Sequence, residues 1–185
     1  IQALRTSKAK DNPSILVLIA GLKAQNGQYQ AALDTINQAL RKRPKVTGYI
    51  LMKANLLSAL GNEEETAAWY AKSSRKHKNN FEVRLAEAKY LVKKNEATLA
   101  LTKLEAILKK WPTQDEALFI AGLTSIDLKQ YEKAEKYLVE LRYSAQYQNE
   151  AYFYLAINAE RKQHFETAKA YYRLVDGSLY TVSRR

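Results

Sequence analysis

Imidazoles, thiolates and paired carboxylates are the groups from which side-chain catalysis is usually built. This 185-residue chain has two histidines, His77 and His164, and no cysteine. His77 sits in the basic run Arg75-Lys76-His77-Lys78. His164 falls in a predicted turn, far away in sequence, so both are expected to be solvated rather than catalytic. Lack of cysteine excludes disulfides, thiolate metal sites and cysteine nucleophiles. No paired-carboxylate, glycine-rich phosphate loop or metal-ligand spacing occurs. The chain therefore reads as a non-enzyme, with no catalytic residue, no cofactor and no metal. What recurs instead is positive charge. Arg41-Lys42-Arg43, Arg75-Lys76 and Lys109-Lys110 return at one constant interval on a chain of formal net charge +11. Their chemistry is the attraction of an anion.

The elements that carry these cations repeat at the same interval. Ala20, Ala54, Ala88, Gly122 and Ala156 are equally spaced, and so are Ala32, Thr66, Ala100, Ala134 and Ala168. A fixed period of about 34 residues indicates stacked helix-turn-helix units rather than a closed globule. In residues 115–149, Asp115 and Glu116 mark a helix start, where the dipole favours negative charge. Leu118, Ala121, Gly122 and Ser125 then recur at helical spacing. A turn at 128–130 leads into a second helix from Tyr131, carrying Ala134, Leu138 and Leu141. So short a turn makes the pair antiparallel. The small residues, Gly122 and Ala134 here, are expected where two helix backbones approach closely. The turn position holds Gly27 and Gly61, then Asn95, Lys129 and Gln163. Glycine and asparagine tolerate a left-handed helix end, whereas Lys129 and Gln163 have no such reason to be there. The second repeat, with Thr66 for alanine and Ser73 at a core position, is expected to be the least stable.

Composition agrees with a folded helical chain. It is 46% hydrophobic and 26% charged, too apolar for disorder. The longest apolar run, residues 15–22, ends at Lys23. That is far short of the roughly 20 residues that span a bilayer, so no membrane span is expected. No segment resembles a signal peptide.

In Ala20, Gly27, Tyr29, Ala32, Ala39 and Pro44, and in the register kept by all five units, the chain resembles the tetratricopeptide repeat family. The signature tryptophan of that family is replaced by Leu16, Ile50, Arg84, Leu118 and Tyr152. The strict period and the two prolines, Pro44 and Pro112, distinguish it from pentatricopeptide repeats. The resemblance implies an all-α, right-handed superhelical solenoid of antiparallel helix pairs. Its units would be 13–46, 47–80, 81–114, 115–148 and 149–182. Residues 1–12 read as the tail of a preceding repeat helix and 183–185 as the start of a further helix, so a truncated array is expected. Residues 151–182 also resemble the last units of large bacterial repeat proteins of the cell envelope, a loose resemblance that leans toward the periplasm or envelope, with the cytoplasm as the next alternative.

The resemblance further implies a partner-binding groove lined by first helices, at Val17, Leu51, Leu85, Phe119 and Phe153, with Asn55, Lys89, Leu123 and Ile157 beside them. Such a line is apolar, and aromatic toward the C-terminus. It suits an extended peptide or an amphipathic helix. The competing reading is that these side chains pack against neighbouring helices. Family members that grip chaperone C-terminal carboxylates need a set of cations and asparagines. Asn55 supplies one, but Leu51, Ala86, Glu116 and Ile120 stand at the others, so no binding of chaperone tails is expected.

Two other surfaces compete. The basic edge is Arg41, Lys42, Arg75, Lys76, Lys109 and Lys110. It would attract an acidic protein or, less favoured, a nucleic acid. The bland reading is that cations at helix C-termini stabilise the helix by about 0.3–1 kcal/mol each. Nine of the 13 tyrosines fall between Tyr131 and Tyr180. Among them Tyr152 and Tyr154 flank Phe153, the strongest candidate for contact, while Tyr171 and Tyr172 lie on the next helix. The expected function is a non-enzymatic protein-interaction scaffold with a protein or peptide partner. The alternatives are an anion-binding edge and a self-associating segment that forms homo-oligomers.

Overall fold

A computed structural model describes residues 12–175. The expectations for the two chain ends lie outside the described residues, apart from Asn12. All regular elements among those residues are helical. First helices are α1 (Pro13–Gln25), α3 (Thr47–Ala59), α5 (Phe81–Lys93), α7 (Asp115–Asp127) and α9 (Gln148–Arg161). Second helices are α2 (Tyr29–Lys42), α4 (Glu63–Lys76), α6 (Ala97–Leu108), α8 (Tyr131–Glu140) and α10 (Phe165–Leu174). The starts of the five second helices are evenly spaced, so they keep the period of the small residues. Asn12 adopts an extended conformation and caps α1, accepting a hydrogen bond from the Ser14 N–H at 3.0 Å, with Pro13 at the first helical position.

Every turn inside a helix pair is built the same way. Gly27, Gly61, Asn95, Lys129 and Gln163 all have positive φ, between 57° and 74°. In each turn the N–H that follows this residue reaches back into the preceding helix. Gln28 donates to the Lys23 carbonyl, Asn62 to Leu57, Glu96 to Leu91, Gln130 to Ser125 and His164 to Ala159. The left-handed residue itself donates to a nearer carbonyl, that of Ala24, Ser58, Val92, Ile126 or Glu160. These are paired bonds of the Schellman type, which satisfy carbonyls left over at a helix end. Lys129 and Gln163 are thus held left-handed by backbone bonding, although their side chains give no preference for it.

The repeated small residues are contact points. Ala20, Ala54, Ala88, Ala156, Ala32, Thr66, Ala100 and Ala134 have no exposed surface, and Ala168 keeps 2%. Thr66 fits the alanine position because its hydroxyl donates to the Asn62 carbonyl at 2.7 Å. Gly122 departs from the expected backbone-to-backbone contact. The Leu138 side chain fills the space there, and a Cβ on Gly122 would stand 2.8 Å from its Cγ.

The chain divides within α5 into two compact units, Ile1–Glu87 and Ala88–Arg185. The first has a core of Leu16, Leu33, Ile36, Ile50, Leu57 and Val83 among others, with Trp69 and Met52 packed against it. The second buries Leu104, Ile107, Leu118, Leu138, Leu141 and Leu155. Loops between repeats are tied in two ways. Where the first and third repeats have Pro44 and Pro112, the second and fourth use a side chain. Asn80 donates from Nδ2 to Thr47 Oγ1 at 2.6 Å, and Ser144 donates to the Asp115 carboxylate.

Candidate partner-binding surfaces

Register alone does not give the first-helix line a uniform exposure. In the first compact unit Val17 and Leu51 are half-buried and Asn55 is exposed, but Leu85 keeps only 4% of its surface. Leu85 is therefore a core residue and cannot present an open apolar contact. Val17 packs partly against the core, and Met52 of α3 comes within 3.8 Å of where a Cβ on Gly21 would stand. Much of this line is thus consumed by helix packing.

The second compact unit differs. Lys89 of α5 pairs with Glu116 of α7 at 2.6 Å, so this cation joins two consecutive first helices. Beyond it Phe119, Leu123, Phe153 and Ile157 are all half-buried. Phe119 lies 5.0 Å from Tyr147 and meets Tyr154 edge-on at 5.6 Å. Phe153 in turn meets Tyr154 edge-on at 5.3 Å and Tyr172 at 6.1 Å. The result is one connected row, Tyr147–Phe119–Tyr154–Phe153–Tyr172, in the tilted and edge-to-face geometry that aromatic rings favour. Tyr172 donates its hydroxyl to Glu160 at 3.0 Å, which fixes the end of the row. Burial, then the Glu116 charge, pushes the Tyr147 hydroxyl above its ordinary pKa, which keeps that ring neutral. Next to the row, Phe153, Ile157, Phe165 and Tyr172 help line a cleft of about 670 Å³ with Lys169 and Arg173 at its rim.

Sequence alone does not single out Tyr147. It sits immediately before α9, in a loop that has no repeat-core position, and only the general excess of tyrosine in this region points to it. Tyr152 packs against Tyr171 at 6.4 Å, apart from the row.

The basic residues sit at helix ends. Arg41 and Lys42 occupy the last turn of α2, and Arg75 and Lys76 that of α4. Lys109 and Lys110 directly follow α6. All six are exposed. Arg75 donates from Nε to the Ala71 carbonyl, and Lys110 lies over the Trp111 ring at 4.8 Å. His164 is exposed at the start of α10, as expected, whereas His77 is half-buried. Burial, then Lys76 and Lys45, lowers the pKa of His77, which disfavours a further positive charge among these cations. Among the described residues no cluster of histidine and carboxylates could hold a metal. No helix among them is long and apolar enough to cross a membrane.

Comparison with known proteins agrees with this architecture. Residues 85–149 match the tetratricopeptide repeat family model. No curated protein sequence matches the chain. Among solved structures, MamA from Desulfovibrio magneticus is similar at TM-score 0.71 and 19% identity, over 87% of this chain and 91% of that one. A tetratricopeptide repeat protein from Parabacteroides merdae gives 0.73 and 19%, over 88% of this chain and 64% of that one. YrrB, described as having an unusual peptide-binding site, gives 0.68 and 17%, over 92% and 87%. Proteins of this fold are in general non-enzymatic scaffolds for protein–protein interaction. Residues 85–149 thus carry the match to the tetratricopeptide repeat family model, and the helix pairs that recur at the same period share the fold of these repeat structures.

Proposed function

We propose that the chain binds a peptide or amphipathic helix of a protein partner through the first-helix face of its second compact unit. The observation that carries this reading is the aromatic row around Phe119 and Phe153. Its rings are held in place by one another, yet Phe119, Tyr154, Phe153 and Tyr172 remain half-exposed. A surface of rigid aromatics offers large area at little loss of side-chain freedom, which is why such residues dominate binding energies. Leu123 and Ile157 extend it, and Lys89, paired with Glu116, borders it. Val17, Leu51 and Asn55 would form a separate, weaker contact surface within the first unit, where Leu85 is buried. YrrB shares the fold and is described as having a peptide-binding site, which supports a peptide as the kind of ligand.

The test is capture of partners with this chain as bait, with Phe119→Ala/Phe153→Ala alongside. Loss of two central aromatics should weaken a groove-bound partner by about 2 kcal/mol or more, roughly 30-fold. A partner captured equally by both proteins rejects the reading. Sedimentation at micromolar concentration, run first, detects self-association, the competing use of the same surface.

A further inference from the structure

We propose that a basic cleft in the first compact unit, between α2, α3 and α4, binds an acidic polypeptide segment that carries an aliphatic side chain. The cleft has a volume of about 330 Å³. Its apolar part is Leu40, Pro44, Ile50 and Trp69, and its cations are Arg41, Lys53, Lys72 and Lys76. No carboxylate is among its lining residues. The volume is at the lower end for ligand pockets and suits one side chain with its flanking backbone.

The helix dipole accounts for Arg41 and Lys76, which sit in last turns. It does not account for Lys53 in the middle of α3 or Lys72 before the last turn of α4. Lys53 Nζ lies 4.3 Å over the Trp69 ring, and the Trp69 indole N–H donates to the Ile50 carbonyl at 3.0 Å. Burial lowers the pKa of Lys53, only partly offset by Glu65, and Lys72 lowers it further. Its charge is therefore short of compensation, and an incoming carboxylate would supply it.

The lining also selects among anions. A nucleic acid would bind through base stacking on an open aromatic face. The indole face of Trp69 is capped by Lys53, His77 is the one other ring in the lining, and the floor formed by Leu40, Pro44 and Ile50 is aliphatic. A bare phosphate would leave Leu40, Pro44 and Ile50 uncovered. A leucine-like side chain flanked by carboxylates satisfies both the floor and the rim. The cleft lies wholly outside the aromatic row, so this inference stands independently of the function proposed above.

The experiment uses a Trp111→Phe variant, which leaves Trp69 as the only tryptophan. The probe is a synthetic peptide with one leucine between two runs of glutamate, titrated against Trp69 fluorescence. A saturable change is expected, weaker by several fold when alanine replaces the leucine of the peptide. Lys53→Gln/Lys72→Gln, checked for unchanged helicity by circular dichroism, should weaken binding by about tenfold or more. Lys109→Gln/Lys110→Gln, equal in charge change, should alter it by less than about twofold. Equal losses in the two variants mean diffuse charge attraction and overturn the proposal. So does the absence of saturation, or tighter binding of a charge-matched oligothymidylate than of the peptide.

Discussion

Leu138 Cγ and Cδ2 lie 2.8 Å from the point where a Cβ on Gly122 would stand. The four other repeats have alanine at this position, so the fourth repeat has exchanged a methyl group on the first helix for a leucine pressed in from the second. Gly122→Ala sets two effects against each other. Alanine in a helix interior is favoured over glycine by about 0.5–1 kcal/mol. Leu138 has no exposed surface, and overpacking of this kind costs about 1–3 kcal/mol. The clash should win, and urea unfolding should show a net loss. The first repeat pairs Ala20 with Ile36, so Gly122→Ala/Leu138→Ile should recover part of that loss. A double-mutant cycle with no coupling energy would sink the explanation.

Lys129 and Gln163 should both be improved by glycine. A side-chain-bearing residue in the left-handed region costs about 1–2 kcal/mol. Glycine gives back about 0.4–1 kcal/mol through its freer unfolded state. Lys129→Gly or Gln163→Gly is therefore expected to stabilise by about 0.5–1 kcal/mol, read as a raised urea midpoint at constant slope. A loss of stability in both would mean that side-chain contacts, not backbone geometry, dominate these turns.

These turns also mark what a sequence can and cannot say. The period is legible in the small residues, because burial at a helix contact tolerates few alternatives to alanine. The turn conformation at Lys129 and Gln163 is not, because paired backbone bonds impose it whatever the side chain. The candidate surface is legible only in part. Phe119 and Phe153 announce themselves as aromatics at equivalent positions. The burial of Leu85 is hidden, because equal register does not mean equal neighbours. Trp69 with Lys53 is hidden as well, since their cleft takes side chains from three helices of two repeats.

Alkaline pH should loosen the second compact unit. Burial, then the charge of Glu105 and a hydrogen bond to it, raises the pKa of Tyr137 above 10.0. A hydrogen bond to Glu135 raises that of Lys162 above 10.5, against a smaller opposing effect of burial. Both folded values exceed the unfolded ones. Their contribution is therefore fully present below about pH 10 and is lost as pH rises through the folded values. Unfolding midpoints should fall as pH rises above about 10, and fall less in Tyr137→Phe/Lys162→Gln. Parallel declines in the two proteins would refute the assignment.

Asn80 and Ser144 do for two loops what proline does for two others. Asn80 has two duties. Its Nδ2 holds Thr47 at the start of the same repeat, and its Oδ1 accepts the Val83 N–H at 2.9 Å at the start of α5. Ser144 holds Asp115 in the same way, and its hydroxyl accepts from the Gln146 and Tyr147 N–H groups at 3.3 and 3.1 Å. Loss of a helix cap alone costs about 0.5–2 kcal/mol, and an unmade partly buried hydrogen bond about 1 more. Asn80→Ala should therefore cost about 1.5–3 kcal/mol in urea unfolding, and Ser144→Ala, which loses loop hydrogen bonds but no helix cap, about 1–2 kcal/mol. Asn80→Asp separates the two duties. It keeps the acceptor for Val83 and adds negative charge at a helix start, and the Thr47 hydroxyl can turn to donate to it. It should therefore cost clearly less than alanine. If aspartate is as damaging as alanine, the amide donor to Thr47 is what holds the loop, and capping of α5 contributes little.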